Sequence, residues 1–201
     1  MHGAKRLKLA VLISGNGSNL QALIDASAKP DFPADIVVVV SNRMQAGGLQ
    51  KADATGIPTH IVAHHDFKDR SDFDQALIET IEPYDVDLIC LAGFMRILTP
   101  LFIDRFQGRI LNTHPSLLPK FGGEGMYGIH VHKAVIAAGE TQSGCTIHLV
   151  INDVDRGEIV LQRPVRVHES DTAEDLSARV IEEEHLAYPE AVRIMAQKIL
   201  N

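Results

Sequence analysis

The sequence predicts an α/β fold built on an open, mostly parallel β-sheet with helices on both faces. Short apolar runs recur along the chain, and stretches with helical spacing separate the early ones. Most runs are almost continuously apolar instead of alternating, which is typical of parallel strands that are buried on both faces. This order of elements indicates a Rossmann-like sheet, in which ligands bind beyond the carboxyl ends of the strands.

The apolar runs give the elements in order. The predicted strands cover residues 9–13, 36–40, 59–63 (the weakest run), 87–92, 109–112, 145–150 and 158–162. Helical spacing follows the first three strands, at Leu20, Leu23 and Ile24, then at Leu49 and Ala52, then at Phe73, Ala76, Leu77 and Ile81. The alternation of strand and helix is therefore regular in the first half of the chain.

The second half of the chain differs, because a long helix follows the last two strands. Thr172 and Asp175 form a variant of the capping box at its start, and Pro189 is expected to kink or restart it. No repeat or polar linker divides the chain, so we expect one domain over 1–201, with a nucleotide-binding-like half (1–112) and a second half (113–201) whose last strands and helix form an appended layer. The longest irregular segment, 115–129, contains four glycines and is a candidate mobile loop.

Composition narrows the function classes. The chain has 201 residues, with 26 acidic against 19 basic side chains and a formal charge of -7, which disfavours binding to nucleic acid. Both cysteines lie in apolar runs, which suits buried thiols in a reducing compartment. The first apolar run is too short for a signal sequence or a membrane span. These features predict a cytoplasmic protein that acts on small molecules.

A glycine-rich loop follows the first strand, in the segment 14–19, Ser-Gly-Asn-Gly-Ser-Asn. Glycines allow backbone N–H groups to approach an anion, and a helix amino terminus adds unpaired donors and partial positive charge. The segment lacks the third glycine of a dinucleotide fingerprint and the Gly-Lys of a P-loop, so a single phosphate fits it better. The alternative is a tight turn in which Ser18 or Asn19 only caps the helix.

Asn112 and His114 lie at the end of the fifth predicted strand. Side chains two residues apart in a strand share a face, and Pro115 favours extended geometry at His114. An amide N–H and a protonated imidazole could hold the oxyanion of a carbonyl under attack. A carboxylate would favour the charged imidazole, and either Asp153 or Asp155 could supply it. The alternative is a turn-capping asparagine beside a structural histidine.

Four motifs in order resemble those of the glycinamide ribonucleotide formyltransferases, over nearly the whole chain. They are SGNGSNL (14–20), FMRIL (94–98), NTHPSLLP (112–119) and DVDRG (153–157). The Asn-x-His-Pro block resembles the motif of the wider superfamily that uses 10-formylfolates. The phosphate loop SGNGSNL narrows the resemblance to the glycinamide ribonucleotide formyltransferases. The resemblance implies the formyltransferase fold, with folate bound in the second half of the chain.

The resemblance also implies roles for individual residues. Asn112, His114 and Asp155 match the catalytic trio, which selects Asp155 over Asp153. Gly17, Ser18 and Asn19 are expected to hold the phosphate of 5'-phosphoribosylglycinamide, and Glu184 is expected to contact the same substrate. The pocket for the co-substrate 10-formyltetrahydrofolate is expected to involve Arg70, Met95, Arg96, Ile97, Leu98, Asn112, Ile151, Asn152, Asp153, Val154 and Asp155. The resemblance implies formyl transfer in purine biosynthesis by a monomer or homodimer, without a metal.

Two features of the sequence depart from the family pattern. The segment between Phe121 and His130 is longer than expected, and Ile181 stands where a polar residue often faces the ribonucleotide.

Three rival functions remain. A formyltetrahydrofolate hydrolase would share the trio but use water, whereas a phosphosugar-binding module would have no turnover. His64-His65 and His130-x-His132 lack further ligands at metal-binding spacing, so we expect no metal site. A methionyl-tRNA formyltransferase would have a further domain and a basic surface.

Overall fold

The computed structural model describes residues 5–200, whose strands form one seven-stranded sheet in the order β3-β2-β1-β4-β5-β6-β7. The strands are β1 (Leu7–Ile13), β2 (Ala34–Ser41), β3 (Thr59–Ile61), β4 (Leu88–Leu91), β5 (Ile110–His114), β6 (Gln142–Leu149) and β7 (Ile159–Arg166). The helices are α1 (Ser18–Ser27), α2 (Gly47–Asp53), α3 (Arg70–Ile81), α4 (Pro100–Arg105), α5 (Ile129–Ala137) and α6 (Ala173–Leu200), with 3₁₀ turns at His64–Asp66 and Glu82–Tyr84. The predicted α/β class and all seven strands are confirmed.

The sheet is mixed. β3, β2, β1, β4 and β5 pair in parallel, whereas β6 and β7 are antiparallel additions beside β5. The last two strands therefore continue the same sheet instead of forming a separate layer. Their register matters for the site, because it places His148 of β6 directly opposite Asn112 of β5.

Helices cover both faces of the sheet, as the apolar strands predict. In β1, Leu9 and Val11 point into a core shared with α1, α2, α5 and α6, whereas Ala10 and Leu12 point into a second core shared with α3 and α4. Alternate residues of a strand face opposite sides, so a strand with apolar residues at every position requires cover on both sides. These two cores hold the carboxyl ends of β1, β4 and β5 in fixed positions.

The long helix α6 runs without a break through Pro189, so the predicted restart is absent. Its start matches the predicted capping box, because the Asp175 N–H donates to Thr172 Oγ1 at 3.1 Å and the Thr172 N–H donates to Asp175 Oδ2 at 2.9 Å. Proline removes one backbone donor, but the turns on both sides of it are held by packing. Tyr188 is fully buried, and its hydroxyl reaches the carbonyl oxygens of Leu91 at 2.9 Å and Leu111 at 3.1 Å.

Two short helices, α4 and α5, were not predicted from the sequence. α4 begins with Pro100 at its first position, and α5 follows directly on the glycine-rich segment that was predicted to be irregular. None of the helices found between residues 5 and 200 has both the length and the apolar character needed to cross a membrane.

Candidate active site

Asn112, His114 and Asp155 meet at the carboxyl end of β5. His114 Nδ1 lies 3.3 Å from Asp155 Oδ2, and the two side chains are only 4% and 8% exposed. Asp155 lies in the loop between β6 and β7, which folds back over the end of β5. The structure thus places Asp155, and not Asp153, beside the imidazole.

His148 joins this cluster, although it was not singled out in the sequence. Its Nε2 lies 3.3 Å from Asn112 Nδ2 and 3.5 Å from Asp155 Oδ1, and its Nδ1 lies 3.0 Å from the carbonyl oxygen of Leu149. If Nδ1–H donates to that carbonyl, neutral His148 has a lone pair at Nε2 that accepts from the Asn112 amide. The only sequence signal for His148 is its position in β6, and that signal requires the antiparallel register with β5.

The charge of His114 is set by opposing influences. Its Nε2 lies 2.8 Å from the carbonyl oxygen of Phe121, and its Nδ1 faces the Asp155 carboxylate, so only the doubly protonated ring can donate to both acceptors. Burial lowers the pKa of His114, while Asp155 and the Phe121 carbonyl act to raise it, and the net direction is downward. The expected imidazolium is therefore opposed by burial and favoured by both hydrogen-bond acceptors.

Asp155 is held as a carboxylate. Burial alone would raise the pKa of Asp155, but the neighbouring His148, the charge of His114 and the Gly123 N–H together bring it below its ordinary value. The Gly123 N–H donates to Asp155 Oδ2 at 3.0 Å. An ionised Asp155 can therefore stabilise positive charge on either neighbouring imidazole.

Two residues at the site have left-handed backbone conformations that are unusual for non-glycine residues. Phe121 has a φ of 54° and Asp155 a φ of 55°. Aspartate tolerates this region better than phenylalanine, since its short polar side chain bonds locally. Such strain is common at functional sites, where the surrounding contacts over-determine the geometry. Here those contacts include the hydrogen bond that His114 donates to the Phe121 carbonyl and the one that the Gly123 N–H donates to Asp155.

A cavity of about 100 Å³ adjoins the trio. It is lined by Leu91, Phe94, Arg96, Ile97, Leu98, Ile103, Asn112, His148, Val150, Ile151, Asn152, Asp153, Val154 and Asp155. Nine of the eleven residues expected around folate are in this lining. Arg70, at the start of α3, and Met95, whose side chain is 47% exposed, are outside it.

The glycine loop lies at the carboxyl end of β1. Gly17 has a φ of +67°, and a Cβ built on it would lie 2.8 Å from the Cα of Gly48. It is also the N-cap of α1, and no side chain caps that helix. The alternative in which Ser18 or Asn19 caps α1 is therefore not what the structure shows, and the first amides of the helix are left without a side-chain acceptor.

Glu184 connects α6 to this loop. The Asn19 Nδ2 donates to Glu184 Oε2 at 2.8 Å, and both side chains are buried. Burial raises the pKa of Glu184, although the bond from Asn19 partly opposes it. The four residues expected at the ribonucleotide site (Gly17, Ser18, Asn19 and Glu184) thus lie together, on the side of β1 that packs against α6.

The His64-His65 pair, which could suggest a metal site, has other contacts, whereas His132 Nδ1 has no hydrogen-bond partner among the described residues. His64 Nδ1 lies 3.1 Å from Asn42 Nδ2, and exposed His65 lies 3.4 Å from Asp66. Within residues 5–200 no group of three or more histidine, cysteine, aspartate or glutamate side chains is placed to hold a metal ion.

Comparison with known proteins gives consistent matches. The family described as "Formyl transferase" matches residues 7–192. The trifunctional purine biosynthetic protein adenosine-3 of Bos taurus is 48% identical over 192 residues, which are 96% of this chain and 18% of that protein. The phosphoribosylglycinamide formyltransferase of Escherichia coli (strain K12) is 42% identical, over 91% of this chain and 84% of that protein. The chain thus spans about a fifth of the trifunctional relative.

Solved structures agree with these matches. Glycinamide ribonucleotide transformylase 1 from Symbiobacterium toebii has a TM-score of 0.91 and 41% identity, over 96% of this chain and 89% of that chain. The phosphoribosylglycinamide formyltransferase of Brucella melitensis has a TM-score of 0.88 and 45% identity, over 96% of both chains. The resemblance found in the sequence motifs is confirmed, and the chain belongs to the formyl transferase family.

Proposed function

We propose that this chain transfers the formyl group of 10-formyltetrahydrofolate to the amine of 5'-phosphoribosylglycinamide, a step of purine biosynthesis. The observation that carries the proposal is the buried cluster of Asn112, His114 and Asp155 beside the cavity, on the same sheet edge as the glycine loop. Relatives named phosphoribosylglycinamide formyltransferase support the acceptor. We expect a cytoplasmic monomer or homodimer that needs no metal.

In the proposed reaction the amine nitrogen attacks the formyl carbon and forms a tetrahedral intermediate. The Asn112 amide and His114 donate hydrogen bonds to its oxyanion, while Asp155 supports positive charge on His114. The C–N bond to the folate then breaks, and the proton released by the amine passes to the departing folate nitrogen, with an ordered water and His114 or Asp155 as the relay. Atoms and charge balance without a covalent enzyme intermediate.

The two ring nitrogens of His114 have different roles: one contacts Asp155, and the other donates to the oxyanion. Nδ1 faces Asp155, so the N–H at Nε2 is the one available to the oxyanion. In this structure that N–H donates to the carbonyl of Phe121. Reaction therefore requires the segment around Phe121 to yield this donor, which agrees with the expectation of a mobile loop at 115–129.

The substrates are proposed to occupy two neighbouring sites. The α1 amino terminus and Gly17 to Asn19 hold the phosphate, and Glu184 contacts the rest of the ribonucleotide. The cavity walls at 96–98 and 151–155 hold the folate, with Arg70 and Met95 at its outer edge. Phosphate anchoring supplies binding energy remote from the reacting atoms, so much of the rate should come from positioning.

Substitution of the trio provides the main test. Asn112→Ala and His114→Ala should each lower turnover by at least about 100-fold, because each removes an oxyanion donor, and leave the ribonucleotide KM within about twofold. His65→Ala, an exposed histidine outside the site, is the matched control and should keep full activity. Full activity in His114→Ala would contradict the catalytic assignment.

The acceptor is tested by measuring folate deformylation with and without the ribonucleotide. Deformylation that requires 5'-phosphoribosylglycinamide and yields formylated product supports the proposal. Formate release without any amine would identify a hydrolase instead, and ligand binding without turnover would identify a binding module.

A further inference from the structure

Ser14 occupies an unusual position between the two proposed substrate sites. It directly follows β1 and is the first residue of the glycine-rich segment 14–19, yet its hydroxyl bonds to two residues outside that segment. The hydroxyl donates to Asn42 Oδ1 at 2.6 Å and accepts from the Met95 N–H at 2.8 Å. Ser14 is only 3% exposed and Asn42 is fully buried. The hydroxyl therefore joins segments that follow three adjacent strands, β2, β1 and β4.

The bond to Met95 holds a backbone, not a side chain. The Met95 side chain is 47% exposed, whereas its amide is tied to Ser14. The next three residues, Arg96, Ile97 and Leu98, line the cavity beside the trio. The position of this cavity wall thus depends on a hydrogen bond made by the residue before it.

The two hydrogen bonds of Ser14, to Asn42 and to Met95, require a hydroxyl. The partly buried Met95 amide needs an acceptor and the buried Asn42 side-chain oxygen benefits from a donor, and only a group with both properties can serve them together. In the His64 tautomer with an unprotonated Nδ1, that nitrogen lies 3.1 Å from Asn42 Nδ2 and accepts from it, which orients Asn42 from its other end. An alanine at position 14 would leave both the Met95 N–H and Asn42 Oδ1 without their partner.

We propose that Ser14 is a positioning residue for the folate, although it adjoins the loop assigned to the ribonucleotide's phosphate. Through the Met95 amide it fixes the 96–98 wall of the cavity, and Asn42 fixes the direction of its hydroxyl. The inference rests on the proposed function, since it assigns the cavity to 10-formyltetrahydrofolate. It predicts that a change beside the phosphate loop affects the other substrate.

Steady-state kinetics of Ser14→Ala test this inference. The KM for 10-formyltetrahydrofolate should rise about tenfold, the effect of losing one buried hydrogen-bond pair, while the ribonucleotide KM and kcat stay within about twofold. Ser143→Ala is the matched control, because Ser143 is a buried serine whose hydroxyl has no hydrogen-bond partner among the described residues. This control should leave both KM values unchanged. Calorimetric titration with tetrahydrofolate should show the same loss of affinity in Ser14→Ala alone.

A second variant separates positioning from general damage to the fold. Asn42→Ala keeps the Met95 bond but frees the Ser14 hydroxyl, so the folate KM should rise about threefold, and less than additively when combined with Ser14→Ala. If Ser14→Ala does not fold, Asn42→Ala carries the test alone. An unchanged folate KM in the variants that fold, or equal increases in both KM values, would overturn the inference. Failure of the wild-type protein to turn over would instead reject the proposed function.

Discussion

Asp155 is shared by two histidines at the centre of the site. His114 faces one carboxylate oxygen at 3.3 Å and His148 faces the other at 3.5 Å, and all three side chains are almost fully buried. A single buried carboxylate can balance one positive charge but not two, so protonation of one ring opposes protonation of the other. In the tautomer of His148 whose Nδ1–H donates to the Leu149 carbonyl, the lone pair at Nε2 accepts from the Asn112 amide and can orient it.

His148→Ala tests this orienting role. Without the Nε2 acceptor, the Asn112 amide loses a partner at 3.3 Å and is free to rotate, so kcat should fall about tenfold while the ribonucleotide KM changes little. Single-turnover measurements isolate the chemical step. A kcat equal to that of the wild type would show that the Asn112 amide is oriented without His148.

Gly17 combines a left-handed backbone with a close contact, and a second glycine separates the two effects. Gly56 has a similar φ of +73° but open space where a Cβ would lie, whereas a Cβ on Gly17 would lie 2.8 Å from the Gly48 Cα. Both alanine variants should lose about 1 kcal/mol of stability from the backbone alone. Only Gly17→Ala must also displace the loop.

The two glycine variants should therefore differ in function. Gly17→Ala should raise the ribonucleotide KM at least tenfold, because the displaced loop no longer presents its amides to the phosphate. Gly56→Ala should keep the wild-type KM. Urea unfolding measures the shared loss of stability, and steady-state kinetics measure the difference. Equal ribonucleotide KM values in the two variants would show that this loop does not bind the phosphate.

At the scale of elements, the sequence predicts those strands and helices whose residues show a clear local apolar pattern. All seven strands were found, because apolar runs in buried strands are distinct from their surroundings. The sequence does not predict α4 or α5. α4 has only six residues, too few to show helical spacing, and α5 directly follows a glycine-rich segment that is typical of irregular structure. Helix α6 continues through Pro189 because packing around Tyr188 outweighs one lost hydrogen bond.

For the site residues too, local sequence patterns predict some positions, whereas the others depend on long-range structure. The shared direction of Asn112 and His114 could be derived from strand alternation. Asp155 required the family resemblance, since its approach depends on a loop with a left-handed backbone at Asp155 itself. His148 required the register of β6 against β5, which is a long-range property that no local pattern contains.

Helix α5 contributes a pH dependence to folding through His132. This histidine is 2% exposed, and burial, together with the charge of nearby His114, lowers its pKa to about 4. The folded state therefore keeps His132 neutral, whereas the unfolded chain protonates it near pH 6.5. Its contribution is fully present above pH 6.5 and is lost as the pH falls towards 4.

His132→Gln should flatten this dependence. Between pH 7 and pH 5 the wild-type free energy of unfolding should fall by about 2 kcal/mol more than that of the variant, a figure that follows from the two pKa values. Urea titrations at several pH values measure it. His130→Gln, on the same helix, retains His132 and should keep the wild-type slope. Parallel slopes for His132→Gln and the wild type would show that His132 does not titrate between these pH values.

At the scale of the whole molecule, the residues of the two proposed substrate sites lie at one edge of the sheet. The glycine loop follows β1, the cavity wall follows β4, and Asn112 and His114 end β5, so strands adjacent in the sheet supply both sites. A covalent formyl carrier would need an accessible nucleophile. Cys90 and Cys145 are fully buried, and burial raises the pKa of each thiol to about 12, so neither supplies a thiolate at neutral pH.

This arrangement predicts sequential kinetics, with both substrates bound before any bond changes. Double-reciprocal plots with the two substrates varied should intersect, because a ping-pong reaction requires a formyl-enzyme and neither buried thiol can supply the nucleophile for it. Labelled tetrahydrofolate should not exchange into 10-formyltetrahydrofolate unless the ribonucleotide is present. Parallel plots, or exchange without the ribonucleotide, would require a carrier residue and would replace direct attack as the mechanism. Cys90→Ser and Cys145→Ser should keep the intersecting pattern, since neither thiol takes part in the transfer.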